Sequence, residues 1–205
     1  MKNNFKAIIF DWGGVCCSGA EPFASLALQK ILNMTPGEIE DGARDIYNGY
    51  YIGKYTKVSF WREIMKHFSL KETDEINPNA LSVAYTNSYE IYQDVLDLIL
   101  DLRKKYRIGL LSKLTIEMRD CIKLRHNLAK YFEVEVYSCD VDVRSSKPDE
   151  KSFLVILEKM KLVAEDCLFI DDSQKNIETA TKIGMKTLLF NGRDQFFRDI
   201  KILTL

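Results

Sequence analysis

The sequence predicts an α/β fold: a doubly wound, Rossmann-like parallel sheet carrying a small helical cap inserted after its first strand. Three observations predict it. Five short apolar runs each end at small or polar residues: Ala7–Phe10, Ile108–Leu111, Val134–Tyr137, Cys167–Ile170 and Thr187–Phe190. Helical patterns separate the last four. A strand-free block of roughly 70 residues lies between the first two runs, far longer than an ordinary crossover.

Continuous apolar runs of this length suit parallel strands buried on both faces. The insertion is read as 17–89, leaving 1–16 and 90–205 as the core. Within it, Pro22 opens a helix after Glu21, Pro36 opens another that continues through Tyr47, and Thr56 caps a third carrying Phe60, Ile64 and Phe68. Beyond it, Tyr92 to Tyr106 puts Val95, Leu98, Ile99 and Leu102 on one stripe. Thr115 caps a helix with Met118, Ile122 and Leu128, and Lys151 to Met160 carries Phe153, Ile156 and Leu157. Ser173 caps the last of the series, with Ile177 and Ala180, which stops at Gly184.

Bulk properties narrow the function. With 29 Lys and Arg against 30 Asp and Glu, the formal net charge is −1. That balance gives no support to nucleic-acid binding, which needs a basic surface. Five cysteines without a CxxC spacing suit reduced thiols, some of them buried, better than zinc or disulfides. No stretch is long and apolar enough to span a bilayer and no signal-peptide pattern opens the chain, so a cytoplasmic location is expected. Oligomeric state has no signature.

Open parallel sheets bind ligands outside the carboxyl ends of their strands. After the first run comes Asp11-Trp12-Gly13-Gly14-Val15, after the second Ser112-Lys113, and beyond the third Ser145-Ser146-Lys147-Pro148-Asp149. After the fourth come Asp171-Asp172-Ser173, with Asn176 one turn on. Three carboxylates, a hydroxyl and an ammonium thus converge on one rim. Clustered carboxylates repel unless a hard cation neutralises them, which points to Mg²⁺, and Lys147 can balance a phosphoryl group. Asp171-Asp172 alone would suit a helix N-terminus. With Asp11 ending a buried run upstream, metal binding is the stronger reading.

These four segments, in this order, resemble the motifs of the haloacid dehalogenase (HAD)-like hydrolases, and the resemblance covers essentially the whole chain. It implies Asp11 as nucleophile, forming an aspartyl-phosphate, with Asp11, the Gly13 carbonyl and Asp172 as metal ligands. Asp171 would act through water or by orienting Lys147. Ser112, Lys147 and the N–H groups of Trp12 and Gly13 would hold the phosphoryl group. The family's core strand order would set Asp11 between Ser112 and the Asp171-Asp172 pair. Two positions depart from the pattern. Gly13 stands where most phosphatases of the family carry a general-acid Asp, leaving Glu21, an insertion residue or water for that task. Lys113 stands where Asn is frequent, and its charge suits a second anionic group or solvent.

The leading expectation is a Mg²⁺-dependent phosphatase acting on a small phosphorylated substrate. Phosphonoacetaldehyde hydrolase is an alternative, needing a cap lysine such as Lys54 or Lys57, and 2-haloacid dehalogenase is another. A HAD-like domain that binds a phosphorylated ligand but turns over poorly, on account of Gly13, is the non-enzyme alternative. Within the cap, Phe60, Trp61, Ile64 and Phe68 read as packing residues and His67 as a surface or packing one. Tyr51, Lys54 and Tyr55 lie in a glycine-containing loop that can face the pocket. Trp12 is expected to pack under the cap or to line the pocket.

Overall fold

A computed structural model of the chain describes residues 5–19 and 26–204. The five apolar runs form the strands β1 (Ala7–Phe10), β2 (Arg107–Ser112), β3 (Val134–Tyr137), β4 (Cys167–Asp171) and β5 (Lys186–Leu189). They build one sheet in the order β3-β2-β1-β4-β5, parallel at every pairing. β1 is therefore central, flanked by the strands that end at Ser112 and Asp171. Phe10 pairs with Leu110 on one side and Ile170 on the other, so three strand ends reach the rim at one level.

Alternation along the strands divides the core into two faces. Ala7 and Ile9 of β1 pack with Phe153, Ile156 and Ile177 of α8 (Glu150–Met160) and α9 (Gln174–Lys182). Ile8 and Phe10 belong to the opposite cluster, with Val95 and Ile99 of α6 (Gln93–Leu102) and Phe196 and Ile200 of α10 (Arg193–Thr204). Helices on both faces make the sheet doubly wound. The central strands are buried throughout or nearly so, whereas edge strand β5 is half-buried at every position. Burial on both faces thus holds for the inner strands and fails at the sheet's edge.

Among the described residues, five helices lie between β1 and α6: α1 (Leu26–Leu32), α2 (Pro36–Gly42), α3 (Arg44–Tyr51), α4 (Lys57–His67) and α5 (Pro78–Thr86). The helix start expected at Pro22 falls outside the described residues. The segment expected as one helix from Pro36 through Tyr47 is two, because Ala43, at φ −125° and ψ 26°, breaks the helical path. Tyr51 ends α3 rather than lying in a loop. The helix capped by Thr115, α7 (Ile116–Arg125), ends before Leu128, which sits in a separate short 3₁₀ turn. Phe60, Trp61 and Ile64 of α4 are buried as expected, and His67 is exposed. Among the described residues no disulfide forms, and no helix is long and apolar enough to cross a membrane.

Candidate active site

The chain leaves β1 in a tight turn. The Trp12 carbonyl accepts from the N–H groups of Cys16 (2.8 Å) and Cys17 (3.1 Å), and the Gly14 N–H donates to the Cys17 carbonyl at 2.8 Å. Gly14 has φ +80°, and a Cβ there would overlap the Asp172 carboxylate, so only glycine lets the β1 and β4 loops meet. Asp11, 8% exposed, accepts the Trp12 N–H on Oδ1 at 2.6 Å and pairs through Oδ2 with Lys147 Nζ at 2.9 Å.

Asp171 is fully buried and its oxygens are fully engaged. Oδ2 accepts from Lys147 Nζ at 2.5 Å, while Oδ1 accepts from the Ser173 N–H and the Asn176 side-chain amide, both at 2.9 Å. Lys147 is thereby fixed between two carboxylates. Asp172 is the most exposed of the three acids and faces the cavity.

Electrostatics follow from this crowding. Burial pushes the Asp11 pKa up to about 7; Asp171 adds to the push, while Lys147 and the Trp12 N–H oppose it. Asp172 is raised for the same first reason, then by Asp171. Burial works to lower Lys147, but Asp11 and Asp171 outweigh it and hold the ammonium above its ordinary value. Lys147 pairs directly with Asp11 and Asp171, and all three acids offer one oxygen within 4.8 Å of the others. An all-oxygen donor set of this kind fits a hard divalent cation.

The cavity over this rim has a volume of about 310 Å³. Asp11, Gly13, Ser112, Lys113, Lys147 and Asp172 line it, and Asp171 supports it from behind. Of the two places expected for Trp12, the cavity lining is the one it does not take. Its N–H is turned to Asp11, and its indole packs near His126 and Phe132 on the core side. Tyr51 reaches the cavity from the helical block, its ring 4.2 Å from Lys113 Nζ, whereas neither Lys54 nor Lys57 lines it. Lys175, in the first turn of α9, lines it too. The sequence reading missed it because a lysine on an exposed turn carries no mark of its own. Glu21 lies outside the described residues.

The profile of the haloacid dehalogenase-like hydrolases matches residues 5–184. A solved HAD family enzyme of Bacteroides thetaiotaomicron, in complex with magnesium, superposes with a TM-score of 0.78 at 22% identity, covering 95% of this chain and 99% of that one. A HAD-like hydrolase of Porphyromonas gingivalis gives 0.77 at 23% identity, covering 98% and 99%. A phosphorylated carbohydrates phosphatase of Thermotoga maritima is 30% identical over 91 residues, 43% of this chain and 41% of the relative. A chloroplast flavin mononucleotide hydrolase of Arabidopsis thaliana is 33% identical over 76 residues, 37% and 30% respectively. The chain matches less than half the length of these curated relatives. With strand order, rim chemistry and the profile over most of its length in agreement, the chain belongs to the haloacid dehalogenase-like hydrolases.

Proposed function

We propose that this hydrolase is a Mg²⁺-dependent phosphatase of a small phosphorylated metabolite, working through an aspartyl-phosphate on Asp11. The observation that carries the reading is Asp11 itself, a buried carboxylate at the cavity floor with Lys147 on one oxygen and the Trp12 N–H on the other. A carboxylate held in one orientation, with its flanking charges fixed, is a preorganised nucleophile. The partial likeness to a phosphatase of phosphorylated carbohydrates and to a flavin mononucleotide hydrolase supports a small phosphate ester as substrate.

Asp11 and Asp172, with the Gly13 carbonyl, would hold Mg²⁺, which when bound supplies Lewis-acid stabilisation of the phosphoryl oxygens. The Ser112 hydroxyl and the Lys147 ammonium bind the phosphoryl group from the side of β2 and the β3–α8 loop. Asp171 keeps Lys147 aimed. An Asp11 oxygen attacks phosphorus, the ester P–O bond breaks, and its electron pair leaves with the alcohol oxygen. That oxygen takes its proton from water, because Gly13 offers no side-chain acid. Water then attacks phosphorus, releasing inorganic phosphate and restoring Asp11. The helices α1–α5 act as the cap that selects the substrate.

A screen of phosphate esters with Mg²⁺, run on the wild type beside Asp11→Asn, tests the reading. Turnover confined to the wild type is expected. Equal background rates in both proteins would defeat it.

A further inference from the structure

Glu117 takes no part in the rim chemistry, yet it is buried, 7% exposed, in the first turn of α7. Donors from three helices of the inserted block converge on it. Oε2 accepts from Tyr50 Oη of α3 at 2.7 Å and from Trp61 Nε1 of α4 at 3.0 Å, and Oε1 accepts from the Ser82 hydroxyl of α5. Beside it, the Thr115 hydroxyl that caps α7 hydrogen-bonds Tyr85 Oη of α5 at 3.0 Å. None of these residues lines the cavity.

Their neighbours do. Tyr51 follows Tyr50 at the end of α3, and Lys113 lies in the turn that leads from Ser112 into α7. The Lys113 ammonium sits 4.2 Å from the Tyr51 ring centre, so one wall of the cavity is made jointly by the block and the core. Glu117 ties together the two elements that supply this wall.

We propose that Glu117 is a positioning residue: it gathers α3, α4 and α5 on one buried carboxylate and so fixes the Tyr51–Lys113 wall that holds the substrate beyond its phosphate. The proposal rests on the phosphatase reading. The residue type fits the task. An ionised carboxylate offers two acceptor oxygens and no donor, which matches three converging donors. The hydrogen bonds offset the cost of burying the charge. A glutamine would present an amide N–H₂ to one of those donors, and an apolar residue would leave all three without an acceptor.

Glu117→Gln tests this with two probes of different reach, acetyl phosphate and p-nitrophenyl phosphate. The variant is expected to raise KM for p-nitrophenyl phosphate about fivefold or more with kcat within about twofold, while both constants for acetyl phosphate stay within about twofold. Proportional loss on both probes, or no change on either, overturns the proposal. Glu117→Asp keeps both acceptor oxygens one methylene short and should give the same split in weaker form. Amide hydrogen exchange decides the anchoring without turnover: Glu117→Gln should speed exchange in α3 and α5 by about tenfold and leave β1 and β4 unchanged. Equal exchange in α3 would sink the idea. If the wild type hydrolyses neither probe, the phosphatase reading fails while the exchange result still stands for or against Glu117.

Discussion

Asp11 and Gly13 sit two positions apart in one turn, and their substitution should act in opposite directions. Removing one member of a buried ion pair commonly destabilises, because it strands the other charge. Lys147 would not be stranded in Asp11→Asn, since it keeps Asp171 at 2.5 Å. One charge also leaves a cluster of three acids. Asp11→Asn should therefore melt at or above the wild-type temperature in metal-free buffer, while phosphatase turnover falls to background. A melt several degrees lower would contradict this account of the charge balance. At Gly13, by contrast, a Cβ would meet nothing within 4 Å, and the backbone is not in the left-handed region. Gly13→Asp should fit and restore a side-chain acid, worth about 10²-fold or more in kcat. Steady-state kinetics on any ester the wild type cleaves would check it; a folded variant with no gain rules out the missing acid as the limit. The rim was legible in the sequence because Asp11, Ser112 and the Asp171-Asp172 pair follow directly on apolar runs, while Lys147, across a loop from the third run, was read through its motif. Glu117 was not: its partners Tyr50, Trp61 and Ser82 lie 67, 56 and 35 positions away, and only the folded packing brings them to it.

Some helix starts were legible from local signals. Thr56 and Thr115 were read as caps, and both accept the expected N–H, from Ser59 and Met118. The break at Ala43 went unread although Gly42, the last residue of α2, stands directly before it as a helix-end signal. α5 went unread although Asn77-Pro78 carries a start signal: Asn77 Oδ1 accepts from the N–H groups of Asn79 and Ala80, both at 3.0 Å, and Pro78 occupies the first turn. Because α5 also carries Ser82 and Tyr85, its cap matters beyond its own length. Asn77→Ala should cost about 1 kcal/mol, read as a lower midpoint in urea with unchanged slope. A second element-scale effect belongs to the end of α7. His126 there hydrogen-bonds Tyr89 Oη through Nε2 at 2.8 Å, and burial, then Arg125, hold its pKa below the usual 6.5. A depressed folded-state pKa gives stability that is full above 6.5 and lost as pH falls through the lower folded value. Wild-type melting temperature should thus drop between pH 7 and 5 more steeply than that of His126→Gln; parallel curves would remove His126 from the pH response.

At the scale of the whole molecule, the strand order was legible only through the family resemblance, because apolar runs announce strands without saying which are neighbours. The order β3-β2-β1-β4-β5 puts Asp11 on the central strand, between Ser112 and the Asp171-Asp172 pair. The same order gathers three carboxylates at one rim, where Lys147 pairs directly with two of them and Lys113 and Lys175 also line the cavity. Folding must hold these charges together, whereas the unfolded chain lets them separate. A divalent cation that binds the folded rim therefore stabilises the whole protein by mass action. Mg²⁺ at about 100 times its dissociation constant would add about 2.7 kcal/mol, or about 5–10 °C in Tm for a chain of this length. The shift should grow with Mg²⁺ concentration and vanish with EDTA. Asp172 is the acid whose carboxylate faces the cavity rather than Lys147, so Asp172→Ala should fold and lose the shift. A Mg²⁺-dependent rise in Tm of the same size in Asp172→Ala would place the cation elsewhere and remove Asp172 from the proposed ligand set.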